Sequence, residues 1–442
     1  MQRSFRERLE SVIPGGAHTY SRGWDQFPSN APDILRRGRG AYVWGSNGEK
    51  LLDYGMGLRS VIFGYADRGV SRAAQRGLAL GQNLTRPSGV ELDAAELFVE
   101  TIHAADMVKF TKNGSSAVTA AVKLARGFTG REKILVCRQH PFFSYDDWFI
   151  ASTPLTLGIP AGISDQVIGF DYGDLKQVEE LLQEHGSEIA AVLLEPATDT
   201  GPTQGEDSFA PSKENFLTGV HNLVKQYGAL LILDEMITGF RYSVHGAQSL
   251  YNVVPDLTTF GKALGSGLPV AAVAGKREIM ELGSINKPGE ERLFLLSTTH
   301  GPEMASLSVA VNVMKRLRSD STLSHLQSYG KTLIEQANQV LESHSLLENI
   351  KFYGNPVSPY YKTLGAEGTI DLSLRTLFSQ EMIRHGVMIP WIALSASHDS
   401  RELRKTINAL DKAALIVNRA LKDGIENYLE GPAIKPVFRK FN

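Results

Sequence analysis

The sequence predicts an α/β protein in which a mostly parallel central sheet is wrapped by helices, with a smaller α+β lobe. Three observations predict it. Short, wholly apolar runs of strand length recur through the middle of the chain, and helical segments separate several of them. The last third instead mixes shorter strands with helices, the pattern of a separate α+β layer. Of the 442 residues, 42% are hydrophobic and 21% charged, enough apolar material for a large buried core.

Residues 1–60 read as a short helix, a break at Pro14-Gly15-Gly16 and an extended arm. Within the arm, Ala41–Trp44 and Lys50–Tyr54 flank Ser46-Asn47-Gly48, a β-hairpin turn. The arm is expected to contribute to the small lobe and to a dimer, with a large domain over 61–315 and a C-terminal small domain over 316–442. From about residue 90 helices and buried strands alternate. Ala117, Ala121, Leu124, Ala125 and Phe128 follow helical spacing up to Gly130. The expected strands are Lys133–Cys137, Ala190–Leu194, Ala229–Leu233 and Val270–Ala274. After about residue 303 a long helical stretch runs through Met314 and beyond Leu326, and another helix covers Glu402 to Leu421. The tail from Gly431, with Pro432 and Pro436, is expected to be extended or an arm against a partner.

Several function classes are excluded on arithmetic. Lys plus Arg number 46 against 48 Asp plus Glu, a net charge of −2, which does not suit a nucleic-acid binder working through a global positive field. No apolar stretch approaches the roughly 18 residues of a membrane span, and the N-terminus lacks a signal-peptide core, so a cytoplasmic location is expected. The lone Cys137 cannot form an internal disulfide, and no Cys/His spacing resembles a metal site. His245 and His398 read as structural, and basic clusters such as Arg36-Arg37 as solvated surface or dimer contacts.

Three motifs remain that can carry chemistry. Asn113-Gly114-Ser115-Ser116-Ala117 opens a helix, where free N–H groups and a glycine suit an anion. Taken alone it reads as an ordinary serine N-cap. Leu231-Ile232-Leu233-Asp234-Glu235 is an apolar strand ending in two acids. A carboxylate at a buried strand end needs a cation, a metal or a protonated ring nitrogen, and Glu235 suits the outward-turned alternative better than Asp234. The third motif is Thr258–Pro269, in which Lys262 sits among apolar and glycine residues; there its pKa should fall, freeing the amine to attack carbonyls. A Walker A reading fails on Asp256 and Ala263, and Gly265-x-Gly267 lacks the third glycine of a dinucleotide fingerprint. An anion cradle, a strand-end acid and a desolvated lysine together describe a site for pyridoxal phosphate.

The residues that carry a family resemblance are Gly228–Arg241, followed by Pro255-Asp256 and Gly261-Lys262. Over nearly its whole length the chain resembles the class III pyridoxal-phosphate aminotransferases, on the branch of glutamate-1-semialdehyde aminomutase. The resemblance implies a fold type I PLP-dependent transferase. Lys262 would be the Schiff-base lysine and proton carrier, Asp234 the partner of the pyridine nitrogen, and Met236 would pack on the ring. Gly114 and Ser115 would bind the phosphate. Thr298, or Thr299 if the loop is shifted by one, would reach the phosphate of a neighbouring subunit, which implies a homodimer sharing its active sites. Arg22 lies at the spacing of an arginine that contacts substrate carboxylate; a surface salt bridge is the plainer alternative. After the Lys133 strand the family carries an aromatic-His-Gly triplet whose aromatic stacks on the ring. Here Gln139-His140-Pro141 stands instead, so His140 would be the family histidine and Phe142 or Phe143 would stack.

The leading expectation is a transaminase moving an amino group from a small-molecule donor to a carbonyl acceptor by a ping-pong cycle through Lys262. The alternatives are an aminomutase or a racemase/epimerase on the same scaffold, and a protein that keeps the fold without turnover. Retention of both Lys262 and Asp234 weighs against the last.

Overall fold

In the computed structural model, which describes residues 4–140 and 142–441, a seven-stranded sheet forms the centre of the unit spanning Arg68–Leu323. Its strands are β1 (Met107–Thr111), β2 (Lys133–Cys137), β3 (Val167–Phe170), β4 (Ile189–Leu194), β5 (Leu230–Glu235), β6 (Leu257–Phe260) and β7 (Ala271–Gly275). They lie in the order β1-β7-β6-β5-β4-β2-β3. β7 runs antiparallel to both its neighbours, and the pairings from β6 through to β3 are parallel. Every residue of β4 and β5 is buried, the signature of strands covered on both faces. The helix Gly114–Thr129 packs on the sheet through Ala117, Val118, Ala121, Leu124 and Ala125. It stops at Gly130, whose φ of +68° is left-handed and whose N–H closes on the Arg126 carbonyl. Phe128, counted by periodicity on the buried stripe, faces outward instead.

β1, β3 and β6 were not expected. Their residues alternate apolar with Lys, Gly or Thr over a few positions, too short a pattern to separate from loop. β5 runs two residues beyond its apolar core because Asp234 and Glu235 still pair with Thr259 and Phe260 of β6.

The other unit comprises the residues up to Asp67 and those from Ser324 onward. The hairpin strands Tyr42–Gly45 and Lys50–Asp53 turn near Gly48 (φ +85°), and they share a four-stranded sheet with Leu35–Arg39 and the C-terminal Val387–Met388. A second hairpin pairs Ile350–Tyr353 with Tyr360–Thr363, and helices Leu372–Arg384 and Ser400–Asp423 complete the lobe. The helical stretch after residue 303 is two helices, Met304–Ser319 and Thr322–Ser343, separated where Asp320 Oδ1 accepts the Thr322 N–H (2.9 Å). The C-terminal tail lies along its own chain: Lys435 N donates to the Asp25 carbonyl (2.9 Å) and Arg439 pairs with Asp25 (2.6 Å). Met56, Gly57, Leu58 and Arg59 form one left-handed turn, with φ of +40°, +59°, +61° and +67°. The buried Asp53 carboxylate holds that turn by accepting from Gly55 N, Met56 N and Tyr65 Oη.

Candidate active site

Parallel strands bring their carboxyl ends to one edge, the edge at which open α/β sheets bind ligands. The register pairs Val136 of β2 with Leu193 of β4, Leu194 with Leu233 of β5, and Leu233 with Thr258 of β6. His140 therefore follows the end of β2, Glu195 the end of β4, Asp234 is the last residue but one of β5, and Lys262 follows β6. Residues far apart in sequence thus stand along one rim.

Asp234 is 2% exposed. Both of its hydrogen bonds fall on Oδ1, from Met236 N (2.9 Å) and from Thr259 Oγ1 (3.1 Å). Burial pushes its carboxyl up to about 6, against the downward pull of the Lys262 charge and of those two hydrogen bonds. The acid therefore gains from a cation, and Lys262 is near enough to act as one. Lys262 is half-buried and opens the short helical turn Lys262–Gly265 in a left-handed backbone conformation (φ +43°). Such strain in a non-glycine residue persists only where the surroundings impose it, and it concentrates at functional sites.

Met236 joins the three motifs. A Cβ placed on Gly261 would lie 2.6 Å from Met236 Sδ, and one on Gly114 would lie 3.0 Å from the same atom. The strand-end acid, the lysine turn and the first turn of the Gly114–Thr129 helix thus converge on one residue: Asp234 on its backbone N–H, and Gly261 and Gly114 on its sulfur, most tightly at Gly261. The helix cap is Asn113, whose Oδ1 accepts from Ser116 N (2.9 Å), and not a serine. This leaves Ser115 to the interior, where its Oγ accepts from Tyr145 N (3.2 Å).

The loop after β2 is fixed by polar contacts to its neighbouring strands. Gln139 is exposed, and its amide is committed to Asp171 Oδ1 (2.8 Å) and Tyr172 N (2.9 Å) beyond the end of β3. His140 is 2% exposed, packed between Phe143 and Tyr172, and its Nδ1 accepts from Glu195 N (2.9 Å). That bond puts the proton on Nε2, and burial lowers the imidazole to about 3, so the ring is neutral at physiological pH. Pro141 lies outside the described residues. Phe143 is buried in the main core, whereas Phe142 and Tyr145 are exposed.

Glu235, expected to turn outward, is fully buried. Its two oxygens accept from Thr238 Oγ1 (2.7 Å), Ala247 N (2.8 Å), Gln248 N (2.9 Å) and Gln248 Nε2 (3.3 Å). Adjacent strand residues face opposite sides, so a strand covered on both faces buries both acids. Thr298 and Thr299 lie on an exposed loop before the Met304–Ser319 helix. Arg22 is exposed at the end of the turn Tyr20–Arg22, in the other unit. Thr259 escaped the sequence reading: its place three residues before Lys262 was the only signal, and its pairing with Asp234 appears only once β6 lies beside β5. Among the described residues no group of three or more His, Cys, Asp or Glu could hold a metal, and no helix is long and apolar enough to cross a membrane.

Comparison with known proteins points to the same chemistry. The family model described as aminotransferase class-III matches residues 27–389. A glutamate-1-semialdehyde 2,1-aminomutase of Aquifex aeolicus is 32% identical over 93% of this chain and 98% of its own. Among solved structures, an omega-transaminase from Sphaerobacter thermophilus superposes with a TM-score of 0.82 at 26% identity, covering 94% of this chain and 97% of that one. The PLP form of the FumI protein of Sphingopyxis sp. MTA144 gives a TM-score of 0.82 at 25% identity, over 95% and 96%.

Proposed function

Because the chain belongs to the class III aminotransferase family and is a pyridoxal-phosphate enzyme, we propose that it is a transaminase that works through Lys262 and Asp234. When bound, the cofactor supplies an electron sink that stabilises negative charge on a substrate carbon. The donor set fits that group: a buried carboxylate for a pyridinium nitrogen, an amine for a carbonyl, and helix N–H groups for a phosphate. In this reading Asp234, fixed at Oδ1 by Thr259 and Met236 N, keeps the ring nitrogen protonated. Lys262 Nζ would hold the group through its carbonyl carbon and, once displaced there by the substrate amine, would be the free amine that takes and returns the substrate proton. Gly114 and Ser115 would offer N–H groups to the phosphate, and Met236 would pack beside the ring.

The observation that carries the proposal is the meeting of these three segments at Met236. Borohydride reduction of the protein loaded with pyridoxal phosphate, followed by peptide mass spectrometry, should place the modification on Lys262. Modification of another lysine refutes the assignment. The aminomutase relative favours a second reading, intramolecular transfer. A panel of single amino donors separates the two, because a transaminase releases one equivalent of carbonyl product and a mutase returns an isomer.

The same reading makes the enzyme a homodimer. Leu78, Leu80, Leu84 and Leu92 are each more than half exposed, an apolar run too dense for a solvated surface. Asn83 Nδ2 lies 2.6 Å from His300 Nδ1, which joins that run to the Thr298 loop. A second copy covering the leucines would receive Thr298 at its cofactor phosphate. Arg22 is then the candidate for a substrate carboxylate.

A further inference from the structure

Lys112 stands between the end of β1 and the cap residue Asn113, two positions from the anion cradle. A lysine there could serve a bound phosphate directly. Its Nζ is instead paired with Glu303 Oε2 at 3.0 Å, and both side chains are about four-fifths buried (20% and 19% exposed). Glu303 caps the Met304–Ser319 helix: Oε1 accepts from Ala305 N (2.7 Å) and Oε2 from Ser306 Oγ (2.6 Å). A helix cap needs only an acceptor, and Ser, Thr or Asn would supply it. A carboxylate that also draws a lysine across from the cradle calls for another role.

That role lies in what precedes Glu303. Its N–H bonds to the His300 carbonyl (3.1 Å), and Gly301 N closes the turn on the Thr298 carbonyl (3.2 Å). A Cβ on Gly301 would sit 2.4 Å from Thr298 Oγ1 and 3.2 Å from the Phe110 carbonyl of β1. The turn that displays Thr298 is therefore pressed against β1 and tethered through Glu303 to Lys112.

We infer that Lys112 is a positioning residue that, through Glu303, sets Thr298 for the cofactor phosphate held by the partner subunit. This rests on the dimeric reading above. It predicts that the effect of losing Lys112 crosses the interface, although the residue borders its own protomer's cradle.

Mixed dimers test this. Each is built from one chain with intact Lys262 and one carrying Lys262→Ala, purified through two different tags, and loaded with pyridoxal phosphate. Visible absorbance then reports only the site with Lys262, and its decay is followed after dilution into cofactor-free buffer. Lys112→Met on the Lys262→Ala chain should speed the decay roughly three- to tenfold, Lys112→Arg there should restore it, and Glu303→Gln, which keeps an acceptor for the cap, should act like Lys112→Met. The same Lys112→Met on the Lys262 chain should leave the decay unchanged. A faster decay only in that second arrangement, or equally in both, overturns the inference. Thr298→Ala on the Lys262→Ala chain separates the two levels. If it has no effect, the dimeric reading itself fails. If it speeds the decay while Lys112→Met in the same position does not, the inference alone fails.

Discussion

Gly261→Ala is the sharpest test of the site as described. The new Cβ would lie 2.6 Å from Met236 Sδ, against an ordinary carbon contact of about 3.5–4.0 Å, so one partner must move by about 1 Å. Gly114 lies against the same sulfur, and the Met236 N–H is bonded to Asp234. The Gly261 backbone is extended (φ −177°), which alanine adopts without strain, so the penalty is steric. Overpacking of this kind typically costs about 1–3 kcal/mol. Urea denaturation of the cofactor-free protein measures it, and a pyridoxal phosphate titration should weaken in parallel. In a Met236→Ala background the crowding is gone, and Gly261→Ala should then cost no more than about 0.5 kcal/mol. Equal penalties in both backgrounds would refute the reasoning, because the sulfur contact would not be the cause.

Other predictions test the surroundings. His140 is held neutral, its imidazole lowered to about 3 by burial, so from the ordinary value of about 6.5 downward the unfolded chain binds a proton that the native chain refuses. Stability should fall as pH drops through that window, and His140→Phe should lessen the slope of the urea midpoint against pH. Asp234 acts oppositely: raised to about 6 by burial, it makes the cofactor-free native state keep a proton that the unfolded chain loses above about 4. Asp234→Asn should remove a loss of stability between pH 4 and 6. Glu235→Gln puts an NH2 group among four donors and should lower stability by about 2–4 kcal/mol by urea denaturation. Leu80→Glu with Leu84→Glu should shift the protein to monomers in analytical ultracentrifugation and loosen the cofactor; a dimer that survives both charges argues against that interface.

The chemistry was more legible than its supports. Asp234 and Lys262 stood out because a charge at the end of an apolar run needs a reason, and that reasoning requires no partner in view. The fate of Glu235 was hidden, since three of its four donors come from Ala247 and Gln248, which only the fold brings to it. Gln139 was similar: its commitment to Asp171 and Tyr172 depends on β2 and β3 lying side by side. The direction of β7 was invisible too, because a run such as Ala271–Gly275 suits either orientation. Lys112 carried no signal, as the acid it pairs with is remote in the chain.

The strand order has a consequence for how the protein is made. β1 is among the first strands of its sheet to leave the ribosome, yet it lies at the sheet's edge, and its neighbour there, β7, is the last to be synthesised. Until β7 arrives, β1 has no place in the ladder and its backbone donors and acceptors lack their strand partner. The cradle helix is tethered to that waiting strand, and Lys262 emerges only just before β7. Cofactor capture must therefore follow near-complete synthesis of the unit, and the interval in which the edge of β1 is open to other chains lengthens as elongation slows.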